Sequence, residues 1–463
     1  VAGLAVDLVR AQRGGAAALA HRRADRLDAL VDCARSRSAF YRRHYSGLAP
    51  GRVRPEQLPP VTKPELMARF DEWVGDPAVT RAVVEAFVAD PARVGQPLLG
   101  RYLVCASSGT TGEPGLFVHD RSAMAVYRAF SVRADLMWLT AGDWVSLARR
   151  GFRWAAVVGT GGHFGGEAWM EHERRRSMWR RHTYRVFSVQ QPLPALVEAL
   201  EDFDPAIVTC YPSAAALLAE QQAAGRLHLR PAVFETGGES TTPAVRGLLD
   251  ATWGRAVRDV YAASEFDPLA FGCDEGWLHV NSDWAVLEPV EADRTPTPRG
   301  ATSSSVLLTN LANRVQPIIR YDLGDSVLER PDPCPCGSPL QAIRVAGRRD
   351  DLLAFRTSGS EQVVLVPLAL ASVMETTPGV RRSQLVRTGP DTLRLRLELL
   401  PGIDPETVWR QATGRLRDHL ARHGLHGVQV ERGTEPPEPG ARSGKFHQVV
   451  GAPSRPPGSW GDG

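Results

Sequence analysis

Residues Ser107–Gly115 read SSGTTGEPG, directly after the apolar run YLVCA at Tyr102–Ala106. Three glycines let the backbone come close to a ligand, and two serines and two threonines surround it with hydroxyls and turn amides. That chemistry suits phosphate, and the stretch is denser in these residues than an ordinary polar turn. It is not a loop of the G-x-x-x-x-G-K-[ST] type, because no lysine follows, and it is not G-x-G-x-x-G. A phosphate loop outside both types narrows the reading of everything around it.

Outward from the loop, short apolar runs alternate with helical stretches. The runs predict strands at Tyr102–Ala106, Trp154–Val158, Ala206–Cys210, Ala256–Tyr261, Ser305–Asn310 and Pro317–Tyr321, and the stretches predict helices at 121–137, 192–202, 212–224 and 243–252. Alternation of this kind predicts an α/β fold with a mainly parallel sheet. Residues 1–50 read as helical, with Leu27, Leu30, Val31 and Ala34 at helical spacing. A break falls at GRRDDL, near 347–352. Beyond it come a short helix (Leu368–Thr376), a strand (Thr392–Leu400), a helix (405–422) and a strand (Gly427–Arg432), a small α+β unit. The domains expected are therefore 1–348, 349–450 and a Pro/Gly-rich, disordered tail at 451–463.

The 463 residues carry 55 basic and 52 acidic side chains, so the strong basic excess of a nucleic-acid protein is missing. The run His172–His182, HERRRSMWRRH, reads as a solvated helix face. No stretch approaches 18 consecutive apolar residues, which predicts no membrane span. The opening VAGLAVDLVRAQRGG lacks the pattern of a signal peptide. Six cysteines are too few for a disulfide scaffold, and the expected compartment is reducing cytoplasm. Of the basic residues only Lys63 and Lys445 are lysine. In a chain that writes its cations as arginine, a remaining lysine marks a position where a planar fork would not serve.

The loop resembles the signature loop of the adenylate-forming superfamily of acyl-CoA synthetases, adenylation domains and luciferases. The order of further motifs resembles its phenylacetate-CoA ligase-like family. These are SAFYRRHY (Ser38–Tyr45), LPPVTKPEL (Leu58–Leu66), GTGGHFGGEAW (Gly159–Trp169), YPS (Tyr211–Ser213), ETGGEST (Glu235–Thr241), DVYAASE (Asp259–Glu265), IIRYDLGD (Ile318–Asp325), PCPCG (Pro333–Gly337), GRRDD (Gly347–Asp351) and SGKF (Ser443–Phe446). The resemblance implies a large N-terminal adenylate-forming domain and a small mobile C-terminal one. It implies a cytoplasmic AMP-forming acid-thiol ligase that adenylates a carboxylic acid with ATP and Mg²⁺ and transfers it to CoA. The alternatives are transfer to a carrier-protein thiol or an amine, and a non-catalytic homologue that binds a ligand or partner.

On this resemblance Ser107, Ser108, Gly109, Thr110, Thr111 and Gly112 hold the phosphates of ATP. Glu265 holds Mg²⁺ as a hard oxygen ligand. Asp325 accepts the ribose hydroxyls, with Arg348 in support. Gly237, Gly238 and Glu239 lie along adenine, with Tyr261 as an aromatic face. Lys445 is the catalytic lysine, Asp350 the hinge, and His163, Phe164, Trp169 and Tyr211 line a pocket for an aromatic acid. Lys63 is expected to cap or pack, without a chemical role. The chain departs from the superfamily at two points: Gly115 stands where many members carry a loop lysine, and Gln448 where G-K-x-x-R carries arginine.

Cys273, His279, Cys334 and Cys336 make a Cys3His set, a standard complement for structural zinc. Some members of the resembling family carry such a metal site. With four positions filled it would hold the fold and do no chemistry.

Overall fold

The alternation read from the sequence becomes one half of a nine-stranded sheet. The computed structural model describes residues 2–49, 51–107, 115–348, 353–356, 362–365, 370–371, 373–374, 377–439 and 446–451. Ser108–Gly112, Asp350, Lys445, the side chain of Arg348 and the tail beyond 451 lie outside them. Three helices, Ala2–Arg13, Gly15–Arg37 and Ala39–His44, open the chain as expected. Strands β1 (Leu103–Ala106) and β2 (Leu116–His119) pair antiparallel, so SSGTTGEPG joins two strands of a hairpin.

Strands β3 (Trp154–Val158), β4 (Tyr184–Ser188), β5 (Ile207–Cys210), β6 (Val233–Gly237) and β7 (Val257–Ala263) follow. Helices Gly165–Arg175, Leu193–Phe203, Pro212–Ala223 and Pro243–Trp253 cross between them. The five strands lie parallel. The parallel run ends because only Ser264 and Glu265 separate β7 from β8 (Phe266–Gly272), and a two-residue link permits only an antiparallel hairpin. β9 (Leu278–Val280) continues that half. β10 (Ala285–Val290), β11 (Ser305–Asn310) and β12 (Tyr321–Asp322) form a separate sheet. β13 (Asp325–Glu329) and β14 (Ala342–Arg348) then complete the order β13-β14-β9-β8-β7-β6-β5-β3-β4. The sheet is therefore mixed, with its parallel part confined to β3–β7.

Two expectations are corrected. The predicted strand Pro317–Tyr321 is a strand only at Tyr321–Asp322. Ile319 and Arg320 spend their N–H groups on the Tyr41 and Thr309 hydroxyls, and Arg320 takes a left-handed φ of 46°, which ends extended backbone. The basic run 172–182 is not simply solvated. Glu173, 2% exposed, is held by Arg128 at 2.6 Å, by Arg176 at 3.2 Å and by Arg180.

Beyond the large sheet, β15 (Leu353–Arg356) and β16 (Gln362–Leu365) pair as a hairpin. β17 (Val380–Gly389), β18 (Thr392–Leu399), β19 (Gln429–Arg432) and β20 (Val449–Val450) form a sheet of order β19-β18-β17-β20. Helix Pro405–Arg422 packs on it, burying Leu416 and Leu420 against Leu385 and Leu395 in a core of its own. The expected helix Leu368–Thr376 is seen at 370–371 and 373–374. No helix among the described residues is long and apolar enough to cross a membrane.

On β6 the side chain of Glu235 accepts from the Thr209 hydroxyl at 2.6 Å, and Thr209 also accepts from the Trp154 indole. Burial pushes Glu235 up to about 8, with the Thr209 hydrogen bond opposing. In the unfolded chain a glutamate titrates near about 4.3. Between those values the folded protein keeps a proton that the unfolded chain releases, so stability falls as pH rises through that window. Glu235→Gln is expected to raise the melting temperature by a few degrees at pH 8 and to leave it unchanged near pH 4, as thermal melts at both values will show.

Candidate active site

The strands of the parallel half end at one side of the sheet. β3 crosses over to β4, whereas β5 crosses to β6 on its other side, so the order reverses between β3 and β5. A crevice opens at the carboxyl ends of strands where such a reversal occurs. There lie the loop 159–163 after β3 and, after β5, Tyr211 with the first turn of helix Pro212–Ala223. They are tied together: Gly159 N donates to the Tyr211 hydroxyl at 3.2 Å, and the Glu167 carboxylate accepts from Gly161 N at 3.0 and 2.9 Å.

Next to this crevice lies a cavity of about 1160 Å³, walled by Ser107, Gly238, Glu239, Tyr261, Glu265 and Asp325 among others. Six expected nucleotide-side residues thus meet in one space, although they come from β1 to β13. At the neck of the phosphate loop, Ser107 N donates to Gly115 O at 2.9 Å, and Gly115 N donates to Ser107 Oγ at 2.7 Å. Gly237 stands at the end of β6, where a Cβ would meet Val260 O at 2.7 Å. Only glycine lets β6 and β7 run this close. Gly238 turns the chain with φ 80°.

Glu265 sits in the tight β7–β8 turn, 7% exposed. Tyr321 donates its hydroxyl to Glu265 Oε1 at 3.0 Å, and Asn310 donates to the Glu265 carbonyl at 2.9 Å. His119 bonds the neighbouring Ser264 carbonyl at 2.9 Å. Burial lowers His119 to about 4, which keeps it neutral as a donor there. Asp325, 8% exposed at the start of β13, accepts from the Tyr261 hydroxyl, so Tyr261 is fixed by the group it flanks. A third carboxylate, Asp259, accepts from Thr236 at 2.6 Å, Thr241 at 3.2 Å and Arg246 at 2.9 Å on the same wall.

Two residues go beyond the sequence reading. Lys63 lies at the start of helix Lys63–Ala68 and on the cavity wall. Phe446, the neighbour of Lys445, lies on the wall as well, and its N–H donates to Glu239 Oε1 at 2.5 Å. The signal for both was the scarcity of lysine. The expected acid pocket is placed differently. His163, Phe164, Trp169 and Tyr211 do not line this cavity. His163 is fully buried, with its ring on Asp90 O at 3.1 Å and against Phe87, and Trp169 packs 5.5 Å from Trp154.

Cys273, His279, Cys334 and Cys336 converge. Their ligand atoms all lie within 4.8 Å of one another. Cys273 and Cys334 sulfurs are 3.8 Å apart, and a tetrahedral zinc with Zn–S near about 2.3 Å has an S···S edge of about 3.8 Å. His279 Nε2 is 3.1 Å from Cys336 Sγ, while Nδ1 faces Leu340 O at 3.3 Å. That second contact directs Nε2 toward the thiols, as in histidines that ligate metals. The donor set and its geometry fit zinc. Asp274, Gly276 and Leu278, between two of these residues, line the cavity.

No protein-family model matches the chain. Over 284 residues it is 28% identical to phenylacetate-coenzyme A ligase of Thermus thermophilus, which covers 58% of this chain and 60% of that protein. The chain thus spans less than two thirds of the length of this relative. Among solved structures, 2-hydroxyisobutyryl-CoA ligase in the postadenylation state with 2-HIB-AMP matches with a TM-score of 0.65 at 20% identity, over 94% of this chain and 89% of that one. Anthranilate CoA ligase AuaEII with anthranoyl-AMP matches with a TM-score of 0.53 at 18% identity, over 74% and 64%. At these identities the likeness is one of fold.

Proposed function

We propose that this chain, a distant homologue of phenylacetate-coenzyme A ligase with the fold of adenylate-forming ligases, is an AMP-forming ligase that joins a carboxylic acid to CoA. In the first step a carboxylate oxygen attacks the α-phosphorus of ATP, the bond to the bridging oxygen breaks, and pyrophosphate leaves. In the second a thiolate attacks the acyl carbon and AMP leaves. Phosphoryl transfer of this kind needs positioning and neutralised charge more than covalent help.

The single observation that carries the reading is the meeting of Ser107, Glu239, Tyr261, Glu265 and Asp325 on one cavity. Two nearly buried carboxylates beside a phosphate loop would repel a triphosphate. The conflict is resolved if Glu265 holds Mg²⁺, whose charge bridges it to the phosphates, and if Asp325 turns its acceptor oxygens to the ribose hydroxyls. Lys63 supplies a second cation on the phosphate side, where Gly115 replaces the usual loop lysine. Lys445 completes the charge around the α-phosphate, Arg348 supports the ribose, and Asp350 is the hinge between 1–348 and 349–450. The acid enters at the β3/β5 crevice, and the Cys3His cluster holds a structural zinc.

Pyrophosphate exchange into ATP across a panel of aromatic and short aliphatic acids tests the reading. Exchange is expected with aromatic acids, and mass spectrometry with CoA present is expected to find the acyl-CoA. Glu265→Ala and Asp325→Ala are expected to lower exchange by about 10²-fold each, since both act on ATP, and to lower the melting temperature only modestly, through the loss of the acceptor for a buried tyrosine hydroxyl. Wild-type rates in both variants, or no exchange with any acid, would refute it. Products formed only with amines or a carrier protein would replace CoA as acceptor.

A further inference from the structure

We infer that Glu239 and the Glu220–Arg381 pair form a latch that holds the C-terminal unit over the cavity and positions the Lys445 loop for the adenylation step. The inference rests on the ligase reading for what the latch serves, and on geometry alone for its existence.

Both halves of the latch are tied to one helix, Pro212–Ala223: Glu239, which follows β6, through Ser213, and Glu220 as part of it. At its N-terminus Ser213 donates to Glu239 through N at 3.0 Å and through Oγ at 3.1 Å. A carboxylate at a helix N-terminus is favoured by the aligned peptide dipoles, so Glu239 is held as an oriented acceptor. What it accepts from the other unit is Phe446 N–H, one residue after Lys445. Seven residues along the same helix, about 10 Å away, Glu220 pairs with Arg381 of β17 at 2.6 Å.

The two contacts act on one rigid piece. Gln384 of β17 donates to His447 O at 3.1 Å, Leu385 N donates to Gln448 O at 2.8 Å, and β17 pairs with β20. The Arg382 guanidinium lies 4.4 Å over the Phe446 ring. Glu398 of β18 holds Arg381 at 2.6 Å, which orients it toward Glu220. Phe446 therefore moves with β17, and contacts tied to two points of one helix, Ser213 and Glu220, fix the rotation of this piece as well as its position. A single contact would leave the unit free to swivel.

These contacts join parts that share no hydrogen-bonded strand. Whatever free energy they hold is lost when the C-terminal unit swings away, so it acts wholly on the balance between arrangements. An exposed ion pair shifts such a balance by roughly twofold to fivefold. Glu239, with a charge-assisted bond, shifts it by about tenfold or more. Glu220 and Arg381 touch no expected substrate group and are positioning residues.

The test compares wild type, Arg381→Glu, Glu220→Arg and the double reversal, with Glu239→Ala as the stronger lesion. Hydrogen exchange by mass spectrometry over 446–450 reads the latch without any activity. Pyrophosphate exchange and thiol transfer from supplied acyl-adenylate read the two steps. Arg381→Glu is expected to speed hydrogen exchange in that segment and lower the adenylation kcat threefold to fivefold, with KM for ATP and the transfer rate unchanged. The double reversal, made together with Glu398→Gln so that no carboxylate of β18 opposes the reversed charge, is expected to restore both readouts, which a merely structural role for either residue would not produce. Equal hydrogen exchange in all five proteins, or a reversal that restores nothing, would overturn the latch. Exchange that follows the charges in a protein that adenylates no acid would uphold the latch and remove only the ligase reading.

Discussion

Lys445→Ala is expected to lower pyrophosphate exchange by about 10²–10³-fold and to leave transfer from a supplied acyl-adenylate within about twofold of wild type. The magnitude is that of one preorganised donor aimed at charge which develops only in the transition state. The asymmetry follows from the proposed alternation. The neighbouring Phe446 lies on the cavity wall and donates its N–H to Glu239, so a lysine that serves ATP beside it would be withdrawn when the C-terminal unit swings away. Lys445→Arg is expected to restore little, because a planar fork does not reproduce a compact charge placed between phosphate and carboxylate. Measuring the two half-reactions separately decides the matter. Equal losses in both would make Lys445 structural or show that no alternation occurs.

Removing the metal should have the next largest effect. Protein purified without chelator is expected to hold one zinc per chain by elemental analysis, and Cys334→Ser to hold almost none. The zinc-binding free energy of a structural site is folding free energy, about 10–16 kcal/mol in small peptides. In a chain with several separate cores, part of that loss appears as global stability and part as local unfolding. The local part falls on 273–279, which contributes Asp274, Gly276 and Leu278 to the cavity wall. ATP affinity is therefore expected to fall together with zinc content. Metal-free protein with unchanged melting and unchanged ATP binding would refute the assignment.

Much of the fold was legible because it was local. Trp154–Val158 and Ser305–Asn310 are strands with the predicted ends, and helix 405–422 is found with its predicted ends. Apolar runs of this length, bounded by turns, leave little choice. The direction of β8 and β9 was harder to read, since it depends on the two-residue link at Ser264–Glu265. Pro317–Tyr321 failed because its hydrogen bonds go to hydroxyls far away in the chain, which no local pattern shows. At the site, glycines, carboxylates and the Cys3His set stood out in the sequence and are brought together, whereas Lys63 was expected only to cap or pack and Lys445 lies outside the described residues. The aromatic residues did not sort in the same way, since Trp169 in a core and an aromatic side chain on a pocket wall look alike in sequence. The tyrosines that hold Glu265 and Asp325 also had no separate signal. Tyr321 lies at a strand end and was read as part of an apolar run.

The division of the sheet has a consequence for how such a protein can diverge. Most of the nucleotide groups proposed above run from the ends of β6 and β7 into the antiparallel strands, between Gly237 and Asp325. The crevice proposed for the acid lies at the ends of β3 and β5, nearer the β4 edge of the sheet, where a loop can lengthen or change without breaking strand register. Drift there leaves the proposed nucleotide groups in place. A lineage built on this sheet can therefore exchange its acid many times while inheriting the same activation step, and relatives should differ most at 159–163 and 211–213 and least along β7 and β13.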